Sequence, residues 1–329
     1  MKAYLTLDYE LFLGKTGTPE NCLFVPMNNL LELLDRHEIK CTIFVDAAYL
    51  IRLQELKHQF IQLENDYKNV VSHIQMMSSK GHSVQLHIHP QWLYSTYSDD
   101  NGWQLDFEHY KLSDLESAPK IQEVVKKSVD ILNMITGITV RAYRAGGYSY
   151  PVDSDALFES GIRYDSSVLP GVKYISKAQS YDYSNVPQIT KWKYKRNPKC
   201  IDDKGDMTEL PISVMNESFI SYIFRRQKYK KLLEGNNGKW GDGVPVSVLL
   251  KKKHKIFTKL NKLFRKQQIL ASIDIPMVLA LNDVYKYCCE NVKGEEFVII
   301  GHPKNQSLYS IREFEKFILH HSDLEWCTM

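Results

Sequence analysis

The chain has 329 residues, 43% hydrophobic and 25% charged, which suits one large α/β domain or two ordinary ones and excludes a disordered or fibrous chain. No apolar run approaches the ~20 residues needed to cross a bilayer, and the amino-terminal stretch carries Asp8 and Glu10, which argue against a signal h-region, so a cytoplasmic protein is expected. Net charge is only +3, but the 14 Lys/Arg and 2 Asp/Glu between Arg225 and Lys266 give +12 there against −9 for the remainder.

In chain order, Lys2 to Asp8 reads as a buried first strand. Pro26 suits the start of a helix that runs to about His37 on a stripe of leucines. Lys40 to Val45 is the next strand and ends at Asp46. Helical patterns follow from about Ala47 to Gly81, with a break expected near Asn65. Ser83 to His87 is a strand, and a polar, aromatic loop leads on to Lys111. A helix fits Ala118 to Thr136, with Ile121, Val125, Val129 and Leu132 on one side. Thr139 to Tyr143 is strand-like, Val152 to Ser160 a short helix, and Arg163 to Asp165 a short strand. Thr208 to Val214 reads as an edge strand because Pro211 sits inside it. After the basic segment, Ile269 to Asp274 returns to strand, a helix runs to about Val292, and Glu296 to Gly301 is the last strand. Ser310 is placed as the cap of a final helix, with Glu313 as its capping-box partner.

Alternating strands and helices argue for parallel strands under covering helices, either as a closed or nearly closed barrel or as an open doubly wound sheet. In both, functional residues belong at the carboxyl ends of strands. Those ends carry Asp8 with Glu10, Asp46, His87 with His89, Arg144, Asp165, Asp274 and His302. Side chains at i and i+2 of a strand share a face, so His87 and His89 project together, as do Asp8 and Glu10. A carboxylate with two imidazoles can hold a metal ion and leave a position open for water. His82 is assigned to the start of its strand rather than to a metal, and Asp165 and Asp274 are candidate partners for the histidines. The six cysteines show no CxxC pair, so reduced thiols are expected.

At these motifs the chain resembles the polysaccharide deacetylases, the NodB-homology domain or carbohydrate esterase family 4. The resemblance runs from Lys2 to Lys304 through TLDYE (Thr6 to Glu10), KCTIFVD (Lys40 to Asp46), GHSVQLHIHP (Gly81 to Pro90), YRAGGYS (Tyr143 to Ser149), YDSS (Tyr164 to Ser167) and VIIGHP (Val298 to Pro303), in the family's order. Two features depart from the family pattern. Asp8-Tyr9-Glu10 replaces adjacent aspartates, and Gln91 stands where the second histidine is usual, with His89 as the available substitute. The branch most resembled is one linked to surface-polysaccharide biosynthesis.

The resemblance implies a distorted (β/α) barrel of about seven parallel strands, one catalytic domain over 1–329 with a basic insertion at 215–268. It implies a metal-dependent hydrolase that removes an acetyl group, N-acetyl favoured, from a sugar of a surface polysaccharide or its precursor. Glu10, His87 and His89 would hold one divalent ion, zinc by preference. Asp8 would be the base, Arg144 its partner and His302 the general acid, with Asp8 and Glu10 open to exchange of roles. Trp92 and Tyr148, among the aromatics that follow the histidine and arginine motifs, would line a sugar groove.

Ile256, Phe257, Leu260, Leu263 and Phe264 fall at helical spacing among lysines in the insertion. This amphipathic helix has three readings: contact with an anionic membrane surface, binding of an anionic ligand, or packing against the barrel. Nucleic acid is not expected as a partner. The alternative function is a catalytically inactive carbohydrate-binding or scaffold protein on the same fold.

Overall fold

β1 (Lys2–Tyr9) shows why the sheet sits at the centre of the molecule. Ala3, Leu5, Leu7 and Tyr9 on one face and Thr6 and Asp8 on the other are all buried, so the strand is covered on both sides. The computed structural model describes residues 1–149, 155–236, 238–250 and 266–329. Around β1 the chain runs through α1 (Val25–Arg36), β2 (Thr42–Asp46), α2 (Ala47–Leu56), α3 (Ile61–Ser79), β3 (Ser83–Ile88) and the short α4 (Gln91–Tyr94). A hairpin of β4 (Thr96–Ser98) and β5 (Gly102–Gln104) precedes α5 (Ala118–Thr136), β6 (Ala142–Ala145), α6 (Asp155–Glu159) and β7 (Tyr164–Asp165). A second hairpin, β8 (Lys173–Ile175) with β9 (Ser180–Asp182), leads to β10 (Trp192–Tyr194), β11 (Met207–Glu209) and β12 (Val214–Glu217). The remaining elements are α7 (Phe219–Leu232), α8 (Val246–Leu249), β13 (Gln267–Leu270), α9 (Leu281–Asn291), β14 (Glu296–Gly301), α10 (Leu308–His320) and β15 (Glu325–Cys327).

Seven strands form the parallel run β11-β7-β6-β3-β2-β1-β14, with β10 added antiparallel at one end. The sheet curls, and its two ends are linked through other segments. Ser213 N donates to Val298 O, Ala271 N to Ser213 O, and Ser272 bridges Ile300 in parallel. A curled, mostly parallel sheet under helices is the distorted barrel expected. Its register places the site. Asp46, His87 and Arg144 are direct neighbours across β2, β3 and β6, and Leu7 pairs Gly301, so Asp8 and His302 emerge side by side.

Several boundaries differ from the sequence expectation. The helical stretch after β2 breaks between Leu56 and Ile61, where Phe60 turns extended, and Asn65 lies inside α3. Residues 208–214 are not an edge strand. Pro211 falls in the gap between β11, which has neighbours on both sides, and β12, which pairs β13, so its missing N–H disturbs no ladder. Ser307 rather than Ser310 caps α10, and Ser310 closes the capping box while Glu313 pairs with Lys316. The stretch expected as an amphipathic helix, 256–264, lies outside the described residues, as does Tyr150. Among the described residues no helix is long and apolar enough to cross a membrane.

Candidate metal and catalytic site

Glu10, His87 and His89 converge at the carboxyl ends of β1 and β3, all three buried, with ligand atoms within 4.8 Å of one another. Glu10 Oε2 lies 2.7 Å from His89 Nε2 and 3.4 Å from His87 Nε2. His87 Nδ1 donates to the Arg144 carbonyl at 2.8 Å, which leaves Nε2 as the nitrogen that could take a metal ion in exchange for a proton. Among the described residues, Glu10 Oε2 and His87 Nε2 are buried without a well-formed hydrogen bond. Buried polar atoms in native proteins are nearly always partnered, and a carboxylate oxygen and an imidazole nitrogen facing each other without one fit a small divalent cation. Gly146 permits the approach of β6, because a Cβ there would stand 2.4 Å from Ile88 O and 2.9 Å from His89 Nδ1.

Asp8 keeps different company. Arg144, fully buried, donates to Asp8 Oδ1 at 2.8 Å and is locked by Thr6 Oγ1, Ser166 Oγ and the Ser166 carbonyl. Burial pushes the Asp8 carboxyl up, but Arg144, His87 and His302 together outweigh it and hold Asp8 below the ordinary carboxylate range. His302 Nε2 stands 3.5 Å from Asp8 Oδ2, while its Nδ1 is bound to Asp274 Oδ2 at 2.7 Å. Burial pulls His302 down and Asp274 pulls it up, and the net is a raised imidazole. In His87 the same contest, burial against Asp8 and Glu10, ends at about 9.

Lys304 was not singled out in the sequence. Its ammonium is buried, 2.9 Å from Glu10 Oε1 and 2.8 Å from the Leu11 carbonyl, over the Phe12 ring. It occupies one carboxylate oxygen and leaves the other to the histidines. With burial opposing, Lys304 and then His89 hold Glu10 well below its ordinary value. A lysine following a His-Pro pair carries no pattern that predicts burial. Asp46 is likewise buried against the cluster, its Oδ1 accepting from His89 N at 3.1 Å.

Asp8, Glu10, His87, His89, His302 and Lys304 open onto one cavity of about 990 Å³. Tyr148, with a positive φ of 58°, lines it, as do Lys177 and Gln179 from the β8–β9 hairpin. Trp92 does not reach the cavity, contrary to its placement in a sugar groove. It is fully buried, packed on Tyr49 and Trp103 at 4.6 and 5.1 Å between ring centroids, because the turn after His89 directs it under α2. Gln91 donates to the Asp106 carbonyl at 2.9 Å. Asp274 partners His302, whereas Asp165 is taken by Ser167 and Tyr194 and pairs with no histidine among the described residues. His82 sits beside Cys41 at the start of β3.

Residues 25–164 match the family model described as polysaccharide deacetylase. That span holds His87, His89 and Arg144 but neither the Asp8–Glu10 pair nor His302. No curated protein matches the chain. Among solved structures, the chain is similar to a Mycobacterium smegmatis protein provisionally named a polysaccharide deacetylase, at 11% identity over 99% of this chain and 85% of that one, TM-score 0.48. It is similar to an allantoinase at 12% identity over 98% and 85%, TM-score 0.45. A family 4 acetyl xylan esterase from Clostridium thermocellum, in complex with a cobalt ion, matches at 18% identity over 53% and 62%, TM-score 0.30.

Proposed function

We propose, for a chain whose residues 25–164 match a polysaccharide deacetylase model, that it is a metal-dependent hydrolase removing an acetyl group, N-acetyl by preference, from a sugar of a surface polysaccharide or its precursor. The observation that carries this reading is the arrangement around one cavity: a buried Glu10–His87–His89 group beside an Arg144-held Asp8 and an Asp274-held His302. Glu10, His87 and His89 would hold a divalent ion, zinc in the first instance. When bound, such an ion polarises the acetyl carbonyl and makes water easier to ionise.

The protein groups divide the proton chemistry. Asp8, kept ionised by Arg144, takes the proton of the attacking water. His302, held by Asp274 at Nδ1 with its pKa shifted upward, gives a proton from Nε2 to the leaving amine. The products are acetate and a free amino sugar. The 3.5 Å between Asp8 Oδ2 and His302 Nε2 then lets the water proton pass to the imidazole and reset both groups. Tyr148 and the β8–β9 hairpin offer a wall for the sugar. The setting proposed is cytoplasmic, with all six free cysteines reduced and with the basic segment 225–266 available to an anionic surface or ligand.

The test is metal analysis together with acetate release. Purified protein is expected to hold about one equivalent of zinc or a similar ion and to release acetate from an N-acetylated sugar. Protein that binds no metal near neutral pH would instead favour the inactive carbohydrate-binding alternative.

A further inference from the structure

A second cavity, about 640 Å³, shares Tyr148 with the lining of the reaction cavity. Its lining is built mainly of tyrosines and aliphatic groups. Tyr181 comes from the β8–β9 hairpin, Tyr222 and Tyr229 from α7, and Leu169, Val172 and Met277 add apolar surface. Three cations stand in the same wall. Arg225 is already spent, since it pairs with Glu217 at 3.1 Å and with Asp283 and donates to the Tyr229 hydroxyl at 3.0 Å. The other two, Arg226 and Lys230, are exposed, and their side chains make no ion pair or hydrogen bond among the described residues.

The composition selects a class of occupant. A neutral oligosaccharide would stack on the rings and leave both cations without a partner. A bare inorganic anion would pair with the cations and leave the apolar wall empty. Residues four apart on a helix stand about 5–6 Å apart at Cβ, so Arg226 and Lys230 can both reach one polyanionic group such as a diphosphate. Arginine in particular presents paired donors to phosphate oxygens. A cavity of this size takes a drug-sized organic group rather than an ion alone. Tyr148, common to both linings, then places that group beside the reaction cavity.

We infer that this cavity receives the diphosphate-linked carrier of an acetylated sugar, with the sugar in the reaction cavity and the diphosphate on Arg226 and Lys230. The carrier is an organic group, either a nucleoside or a prenyl chain, seated on the tyrosine and aliphatic wall. This inference rests on the deacetylase reading and names its substrate class.

Calorimetric titration of the full chain with uridine diphosphate, farnesyl diphosphate and inorganic pyrophosphate tests the site without relying on activity. One organic diphosphate is expected to bind, with pyrophosphate at least ~10-fold weaker, and the double variant Arg226→Ala/Lys230→Ala is expected to weaken binding by ~10- to 100-fold. Preference for the uridine compound assigns a nucleoside carrier and preference for the farnesyl compound a lipid one. Absence of binding by both, equal binding of pyrophosphate, or a double variant that binds like the parent overturns the inference. Acetate release separates the two readings. The uridine or prenyl diphosphate ester of an N-acetylhexosamine is expected to show a lower KM than its methyl glycoside, and the double variant to remove that advantage. Equal KM values defeat the cavity assignment and leave the deacetylase reading standing. Diphosphate binding without acetate release from any of these substrates defeats the deacetylase reading and leaves the cavity assignment standing.

Discussion

Asp8 and Glu10 stand two residues apart on the same side of one chain segment, yet they lie in different halves of the site. Asp8 faces a guanidinium that is itself fully locked, and its second oxygen looks toward His302. Glu10 faces two imidazoles and a buried ammonium, with one oxygen held by Lys304 and the other left to the histidines. Two like carboxylates thus acquire different chemistry from their neighbours alone. The Asp8 half sets a carboxylate between a buried guanidinium and the His302 imidazole. The Glu10 half gathers a carboxylate oxygen and two imidazoles into a group that could hold a metal ion.

This contrast can be broken most directly in the Glu10 half. Glu10→Ala or His87→Ala is expected to reduce bound metal from about one equivalent to none and to abolish acetate release, as read by elemental analysis of the purified variants. Asp8→Asn is expected to keep the metal and lose ~10²- to 10⁴-fold in acetate release. Metal lost in Asp8→Asn and kept in Glu10→Ala would exchange the two roles.

Lys304→Met probes the balance of charge in the same half. In metal-free protein it leaves Glu10 without its nearest cation in a buried position, and a loss on the order of 3 kcal/mol in denaturant unfolding is expected. An unchanged unfolding midpoint would make Lys304 a bystander.

Asp274→Asn sharpens the Asp8 half through its pH profile. Burial lowers the His302 pKa and the Asp274 carboxylate raises it, with a net upward shift. Removing that carboxylate lowers the pKa, so the imidazolium is lost at a lower pH and the alkaline limb of kcat/KM moves down. A limb that stays in place would assign it to a group other than His302. The smallest effect is expected for Trp92→Phe, about 1–2 kcal/mol of stability with KM unchanged. A raised KM at unchanged stability would return Trp92 to the sugar wall.

Much of the frame was legible because its elements obey simple periods. The leucine stripe of α1 and the apolar positions of α5 sit where a 3.6-residue repeat puts them. The paired ionisable residues at the ends of β1 and β3 follow the two-residue repeat of a strand. The misses have a common cause in tertiary packing. Trp92 looks like a loop aromatic until Tyr49 and Trp103 close over it. Pro211 looks like an edge marker until β11 is seen to have neighbours on both sides.

The sequence by itself determined which chemical groups stand at the strand ends and in which pairs they project, because strand geometry is local. Only the tertiary structure decided that Lys304 enters the core, that Asp274 serves His302 while Asp165 does not, and that Tyr148 lines two cavities. Each of these depends on segments far apart in sequence meeting across a curled sheet. Burial then sets the strength of every charge among them, and burial belongs to the packed whole rather than to any one stretch.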